Sequence, residues 1–295
     1  MVALALGVLG LVLAGPGPLW VERWSFLHRV PRAAVVLWQA GALAALVSVI
    51  GAGLTVALPV VRDERGLLHR PAVELALFAV LAVFTLVVMA RLVWSLVAVA
   101  CDTRARRGRH RAAVDLLGRV DESYPLPGLR VLAEHLPVAY CLPGLRDSRV
   151  VLSAGTLAAL STDEVRAVVE HESAHVRARH DLVLDTFTAL HRAFPIAVRS
   201  EIPAQQCRLL VEMLADDAAR RVTGPVPLAR ALVALAGAAT PSWALGATAT
   251  GTVERIGRLA SEPGPHRLVA AAVYLLACGL VAFPLLIMVA PSIVH

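Results

Sequence analysis

His171-Glu172-Ser173-Ala174-His175 places two imidazoles four residues apart with a carboxylate directly after the first. On a helix, residues at i and i+4 lie one above the other, so both rings can reach one metal ion. Glu172 sits about 100° round the helix. There it can take a proton from a metal-activated water and later return it, the work of a general base. A hydrolytic zinc takes three protein ligands and keeps one position open, so a third ligand is required.

Cys207 to Val222, CRLLVEMLADDAARRV, supplies candidates. Glu212 and Asp216 share one face of a predicted second helix. Glu212 would complete the zinc set with His171 and His175, and Asp216 would orient a ligand histidine through its other ring nitrogen. Asp217 points away and is expected to be solvated or paired with Arg220 or Arg221. Asp181 would support the site from the end of the first helix, and His180 reads as a charge at that helix's C-terminus.

The elements that must hold these residues are partly legible. Ser161 and Glu164 form a capping box, and Val165, Val168, Val169 and Val176 give the first helix an apolar side. Before it, Val138 to Cys141 and Arg149 to Ser153 read as a β-hairpin or a pair of neighbouring strands, followed by a short helix from Ala154 to Leu160. Such strands would either pair with an extended substrate or shield the core. Leu182 to Val198 is expected to be a buried or interfacial helix. Pro227 to Ala239 is expected to be a core helix that leads into a loop.

The frame around this domain is apolar: 295 residues, 58% hydrophobic, with a pI near 9.9. All 28 basic residues are Arg, which excludes a Ser/Lys dyad, a Schiff-base lysine and a Walker A lysine. No G-x-S-x-G is present either. Cys101, Cys141, Cys207 and Cys278 lack C-x-x-C spacing and read as reduced thiols of a cytosolic setting.

Four apolar segments, 1–21, 33–61, 71–101 and 268–294, are expected to cross the membrane, with one soluble domain at 112–262. Gly41, Gly51 and Gly53 suit close helix packing. Within the third segment, Glu74 and Arg91 are expected to snorkel towards the interfaces. Arg104, Arg106, Arg107, Arg109 and Arg111 follow that segment, and this cluster reads as a cytoplasmic topology signal with anionic lipid contact rather than as a nucleic-acid site. The Arg23 to Arg32 loop is then inside and the Arg62 to Arg70 loop outside. Both termini lie outside, and the domain faces the cytoplasm. The expected class is a mainly α multi-pass membrane protein with four transmembrane helices and a cytoplasmic α+β domain.

HESAHVRARHD followed by EMLAD resembles the gluzincin pattern of HExxH plus ExxxD in integral-membrane metallopeptidases. With its span order, the chain most resembles the BlaR/MecR family of bacterial sensor-transducers, and VLSAGTLAALSTDEVRAVVEHESAHV is similar to HtpX-type membrane peptidases. The resemblance implies a Zn2+ enzyme with His171, His175 and Glu212 as ligands and Glu172 as base. It also implies a protein substrate, a cytosolic transcriptional repressor. Glu254-Arg255-Ile256 with Arg258-Leu259 fits both groups. Thr250-Gly251-Thr252 stands where HtpX-type enzymes carry a His-Pro pair, so the residue that stabilises the transition state is unassigned. The antibiotic sensors carry a penicillin-binding domain after the last span, whereas this sequence stops at His295, so a signal would arrive through the spans, the short outer loop or a partner. Two further readings are quality-control proteolysis of membrane proteins and a non-catalytic transducer with a structural metal, which would have no need of Glu172.

Overall fold

The computed structural model describes residues 1–62, 71–120, 128–144, 148–194, 201–236, 251–261, 264 and 266–293. Its helices are α1 (Val2–Ala14), α2 (Gly17–Glu22), α3 (Pro31–Arg62), α4 (Ala72–Leu117), α5 (Ala154–Ala159), α6 (Thr162–Ala178), α7 (His180–Ala193), α8 (Ile202–Thr223), α9 (Pro225–Leu235), α10 (Thr252–Ala260) and α11 (Arg267–Ile293). The strands are β1 (Leu129–Leu132), β2 (Ala139–Leu142) and β3 (Arg149–Ser153). The outside loop expected at Arg62 to Arg70 and the loop expected after the core helix fall on residues 63–70 and 237–250, outside the described residues. The chain divides into two compact units. One comprises Met1–Ala98, Thr186–Ala204 and His266–His295, and the other Val99–Asp185 and Gln205–Pro265.

In the first unit, three described helices are long and apolar enough to cross a membrane: α3, α4 and α11. The first expected span is not among them. Gly15-Pro16-Gly17 interrupts it, because a proline fits a first helical turn but not the middle of a helix, and α1 stops after 13 residues. At 1.5 Å per residue, α1 covers about 20 Å of a core about 30 Å thick.

Glycines mark the close crossings in this unit. A Cβ on Gly10 would meet Val49 and Ser48, and one on Gly51 would meet Leu6 and Met288. These contacts make α1 antiparallel to α3 and bring α11 against α3 at Gly51. Gly53 lies against Thr85 of α4, whereas Gly41 faces open space. Arg91 does not simply snorkel: its Nε donates to Ala193 O at 3.0 Å, and one turn on, Ser95 Oγ donates to Ala189 O at 2.7 Å. Both side chains of α4 thereby satisfy carbonyls in the last turns of α7, which an apolar surround would otherwise leave costly.

The second unit is a small α+β body. Its sheet has the order β1-β3-β2, with β1 parallel and β2 antiparallel to β3. The antiparallel pair is the one expected from sequence, while β1 was not anticipated. One face of the sheet packs Tyr140, Leu142 and Val151 against Val114 of α4. The other packs Ala139 and Leu152 against Val165, Val168 and Val169 of α6, with Ala231 and Leu235 of α9. Ser153 fixes the entry to β2: its Oγ accepts from Val138 N at 2.9 Å and Thr156 N at 3.0 Å and donates to Leu136 O at 2.6 Å. Below the sheet, α6 and α8 meet α9 and α10 through Ala167, Ala219, Leu228, Leu232 and Leu259.

Candidate metal centre

Helix α6 begins as its sequence requires, with Ser161 N donating to Glu164 Oε2 at 2.8 Å and the reciprocal capping bond present. Its valines anchor one side in the core, and the register they set buries His171, Glu172 and His175 completely. From α8, Cys207, Leu210, Val211 and Met213 are buried, so Glu212 and Asp216 arrive on the inner face at 2% and 1% exposure. The four free cysteines include none bridged to another.

His171 Nε2 and His175 Nε2 lie 3.1 Å apart. Glu212 reaches between them, with Oε2 at 3.3 Å from His171 Nε2 and Oε1 at 3.4 Å from His175 Nε2. A tetrahedral ion with bonds of about 2.0–2.1 Å separates its ligand atoms by roughly 3.3–3.4 Å. The observed spacings match that edge length. Among the described residues these three form the one group able to hold a metal ion. The donor set, two imidazoles and a carboxylate, suits a borderline-soft divalent ion. Polar atoms buried beside it also want a partner: both oxygens of Glu172 lack a hydrogen bond of standard geometry. Buried carboxylate oxygens in that condition are costly, so the residues fit a cation.

The electrostatics follow from burial and these close contacts. For His171, burial works to lower the pKa, but the carboxylates of Asp216 and Glu212 close to its ring outweigh it and raise the pKa to about 9. For Glu212, burial works to raise the pKa, but the charges of His175 and Arg255 and the His171 bond bring it down to about 2. Asp216 is likewise held below the usual carboxylate range by Arg255 and His171, against burial. His175 is pushed by burial down to about 3 and is neutral at physiological pH. Burial raises Glu172 to about 7. Cys141 of β2 lies close enough to favour the Glu172 carboxylate, although no hydrogen bond of standard geometry reaches either oxygen.

The predicted supporting residues are placed as follows. Asp216 Oδ1 lies 3.0 Å from His171 Nδ1, an ion-pair distance slightly off the line of a straight hydrogen bond. Asp181 accepts from Arg107 Nη1 at 2.7 Å, and its charge helps raise the Cys141 thiol. Asp217 pairs with Arg258 at 2.6 and 2.8 Å, not with Arg220 or Arg221, because α10 packs alongside. The basic cluster divides: Arg107 holds Asp181 and Asp185, while Arg104, Arg106 and Arg109 are exposed.

Two residues of the centre carry no site role in the sequence reading. Arg255, fully buried on α10, donates to Asp216 through Nε and Nη2, both at 2.7 Å, and its Nη1 lies 3.0 Å from Glu212 Oε2. In sequence it stands within the Glu254-Arg255-Ile256 pattern that fits both peptidase groups, with no site role attached to it. His180 is not a solvated helix-end charge. It opens α7, is 5% exposed, and its Nδ1 lies 3.0 Å from His175 Nδ1.

Residues 107–246 match Peptidase family M48. No curated protein and no solved structure matches the chain. The M48 match spans both metal-site helices, α6 and α8. It supports the metallopeptidase resemblance, since M48 peptidases are metal-dependent, and it accommodates the BlaR/MecR-like and HtpX-like branches alike.

Proposed function

We propose that this chain is a membrane-embedded zinc metalloendopeptidase that hydrolyses peptide bonds on the cytoplasmic face of a bacterial cytoplasmic membrane. The observation that carries the reading is the convergence of His171, His175 and Glu212 at tetrahedral spacing beside the buried carboxylate of Glu172. Zinc held by those three residues supplies Lewis acidity towards water and the scissile carbonyl. Glu172, with a pKa near 7, takes a proton from water at neutral pH and delivers it to the departing amine. Asp216 steadies His171, and Arg255 holds both Asp216 and Glu212 in place.

Strand β2 is buried along its whole length, Ala139 and Cys141 completely, so of the two roles open to the strands this one shields the core.

The substrate we propose is a cytosolic transcriptional repressor, supported by the likeness of the motif and span order to BlaR/MecR transducers, with the bilayer as the other partner and no direct contact with nucleic acid. Quality-control cleavage of membrane proteins is the second reading, with which the M48 match is equally compatible. Zinc content of the detergent-purified chain beside Glu212→Ala tests the metal centre. About one zinc per wild-type chain with weakened retention in the variant is expected, and none in a folded, metal-replete wild type overturns it. In a deletion strain, one uncut regulator marks the first reading, and many accumulating membrane proteins mark the second.

A further inference from the structure

Helix α6 stops at Ala178, and Arg179 adopts φ 54° and ψ 43°, the one positive-φ non-glycine conformation among the described residues. A residue with a Cβ avoids this left-handed region unless its surroundings hold it there. Here they do: Arg179 Nη1 donates to Gly144 O at 2.7 Å. The consequence is positional. In an unbroken helix, residues five apart lie about 140° apart round the axis, so positions 175 and 180 could not meet. The turn at Arg179 folds His180 back onto the metal helix, with its ring at 86° to that of His175 and the two Nδ1 atoms 3.0 Å apart.

Where two neutral imidazoles meet nitrogen to nitrogen, one carries the hydrogen and the other a lone pair. His175 has to offer its Nε2 lone pair to a metal, so its own proton belongs on Nδ1. We propose that His180 is a positioning residue for the metal centre. It accepts the Nδ1–H of His175 on its own Nδ1, keeps its proton on Nε2, and so locks His175 in the ligating tautomer and orientation. The proposal rests on reading His171, His175 and Glu212 as metal ligands. It makes the two ligand rings unlike, since His171 is backed by the carboxylate of Asp216 and His175 by the imidazole of His180. The left-handed Arg179 thereby acquires a purpose, because without it the acceptor would face elsewhere.

Asn and Leu are nearly equal in size and shape, but only Asn can accept a hydrogen bond. The full-length chain is purified in detergent as wild type, His180→Asn and His180→Leu. Zinc affinity is measured by chelator competition, and the ligand field by the visible absorption of the Co2+-loaded protein. The expected result is a loss of about 10–100-fold in zinc affinity for His180→Leu with an altered Co2+ spectrum, and a substantially smaller loss for His180→Asn. Equal affinities and spectra for the two variants overturn the proposal while leaving the metal centre intact. Failure of the wild type to bind zinc instead overturns the metal reading and the proposal with it. Should His180→Leu fail to fold, solid-state 15N NMR of zinc-loaded, histidine-labelled wild type decides. A proton on His175 Nδ1 facing a bare His180 Nδ1 supports the assignment, and the reverse overturns it.

Discussion

Glu172 is the residue whose surroundings say most about its chemistry. Burial, not a neighbouring charge, is the largest influence lifting it to about 7, so the carboxylate keeps basic strength where an exposed glutamate would have none. Glu172→Gln should therefore lower peptide cleavage by about 10²–10⁴-fold while zinc content stays at the wild-type level. Paired activity and metal assays check this. The same shift predicts a pH signature in the metal-free protein. Because the folded pKa is raised, the contribution of Glu172 to stability is intact below its ordinary value of 4.5 and is lost as the pH rises through about 7. Glu212, lowered to about 2, works the other way: its contribution is present above 4.5 and is lost as the pH falls towards 2. Thermal melts of metal-free Glu172→Gln should show a gain over wild type at pH 8, on the order of 3 kcal/mol at most, that vanishes near pH 4.5. A gain of equal size at both pH values would show that the side chain's charge is not its cause.

Arg255 illustrates what residue-level reading misses. His171, Glu172, His175 and Glu212 announce themselves by spacing within one helix each, but Arg255 reaches them only after α10 packs alongside α8. Removing it with Arg255→Met strands two buried carboxylates and should cost about 3–5 kcal/mol, read as a lowered melting temperature of the purified chain. Arg255→Lys should recover little, since an ammonium cannot make the two-pronged contact with Asp216.

At the scale of elements, local signals read well and junctions did not. The capping box and the valine spacing place α6 within a residue of its observed start, and the β2–β3 pair follows from its bounded apolar runs. The break at Arg179 has no such signal, because neither glycine nor proline marks it. β1 is four residues long and pairs in parallel with β3, with β2 intervening in the chain, which no local pattern announces. Glycines test how tightly these elements are joined. A Cβ on Gly155 at the start of α5 would run into the backbone of His135 and Leu136, on the approach to β2, whereas Gly257 of α10 has open space around it. Gly257→Ala should therefore stabilise by about 0.5–1 kcal/mol, and Gly155→Ala should destabilise by about 1–3 kcal/mol. Denaturation of the two variants in parallel checks the pair, and effects of the same sign would contradict this packing of α5.

For the whole molecule, the unsettled element is the first apolar segment. Its lack of charge made it read as a full span, but the Gly-Pro-Gly break leaves α1 with 13 residues, too few to cross alone. Its packing nevertheless argues for a crossing. Leu6 sits beside Gly51 and Gly10 beside Ser48, so α1 runs antiparallel to α3 and Met1 lies towards the end of α3 that Arg62 occupies. If α3 crosses with Arg62 outside, the N-terminus is outside too, with α2 completing the passage. If α1 instead leaves α3 and lies within one leaflet, the N-terminus returns to the side of Arg23. Single cysteines at Val2 and at Arg109, introduced into a chain whose four native cysteines are replaced, separate these outcomes. With a membrane-impermeant thiol reagent, Val2→Cys should label in intact cells and Arg109→Cys only after permeabilisation, because arginines exposed beyond a span favour the cytoplasmic side. Labelling of Val2→Cys only after permeabilisation would reduce the crossings to α3, α4 and α11. Labelling of Arg109→Cys in intact cells would place the metal centre outside and remove a cytosolic repressor as its substrate.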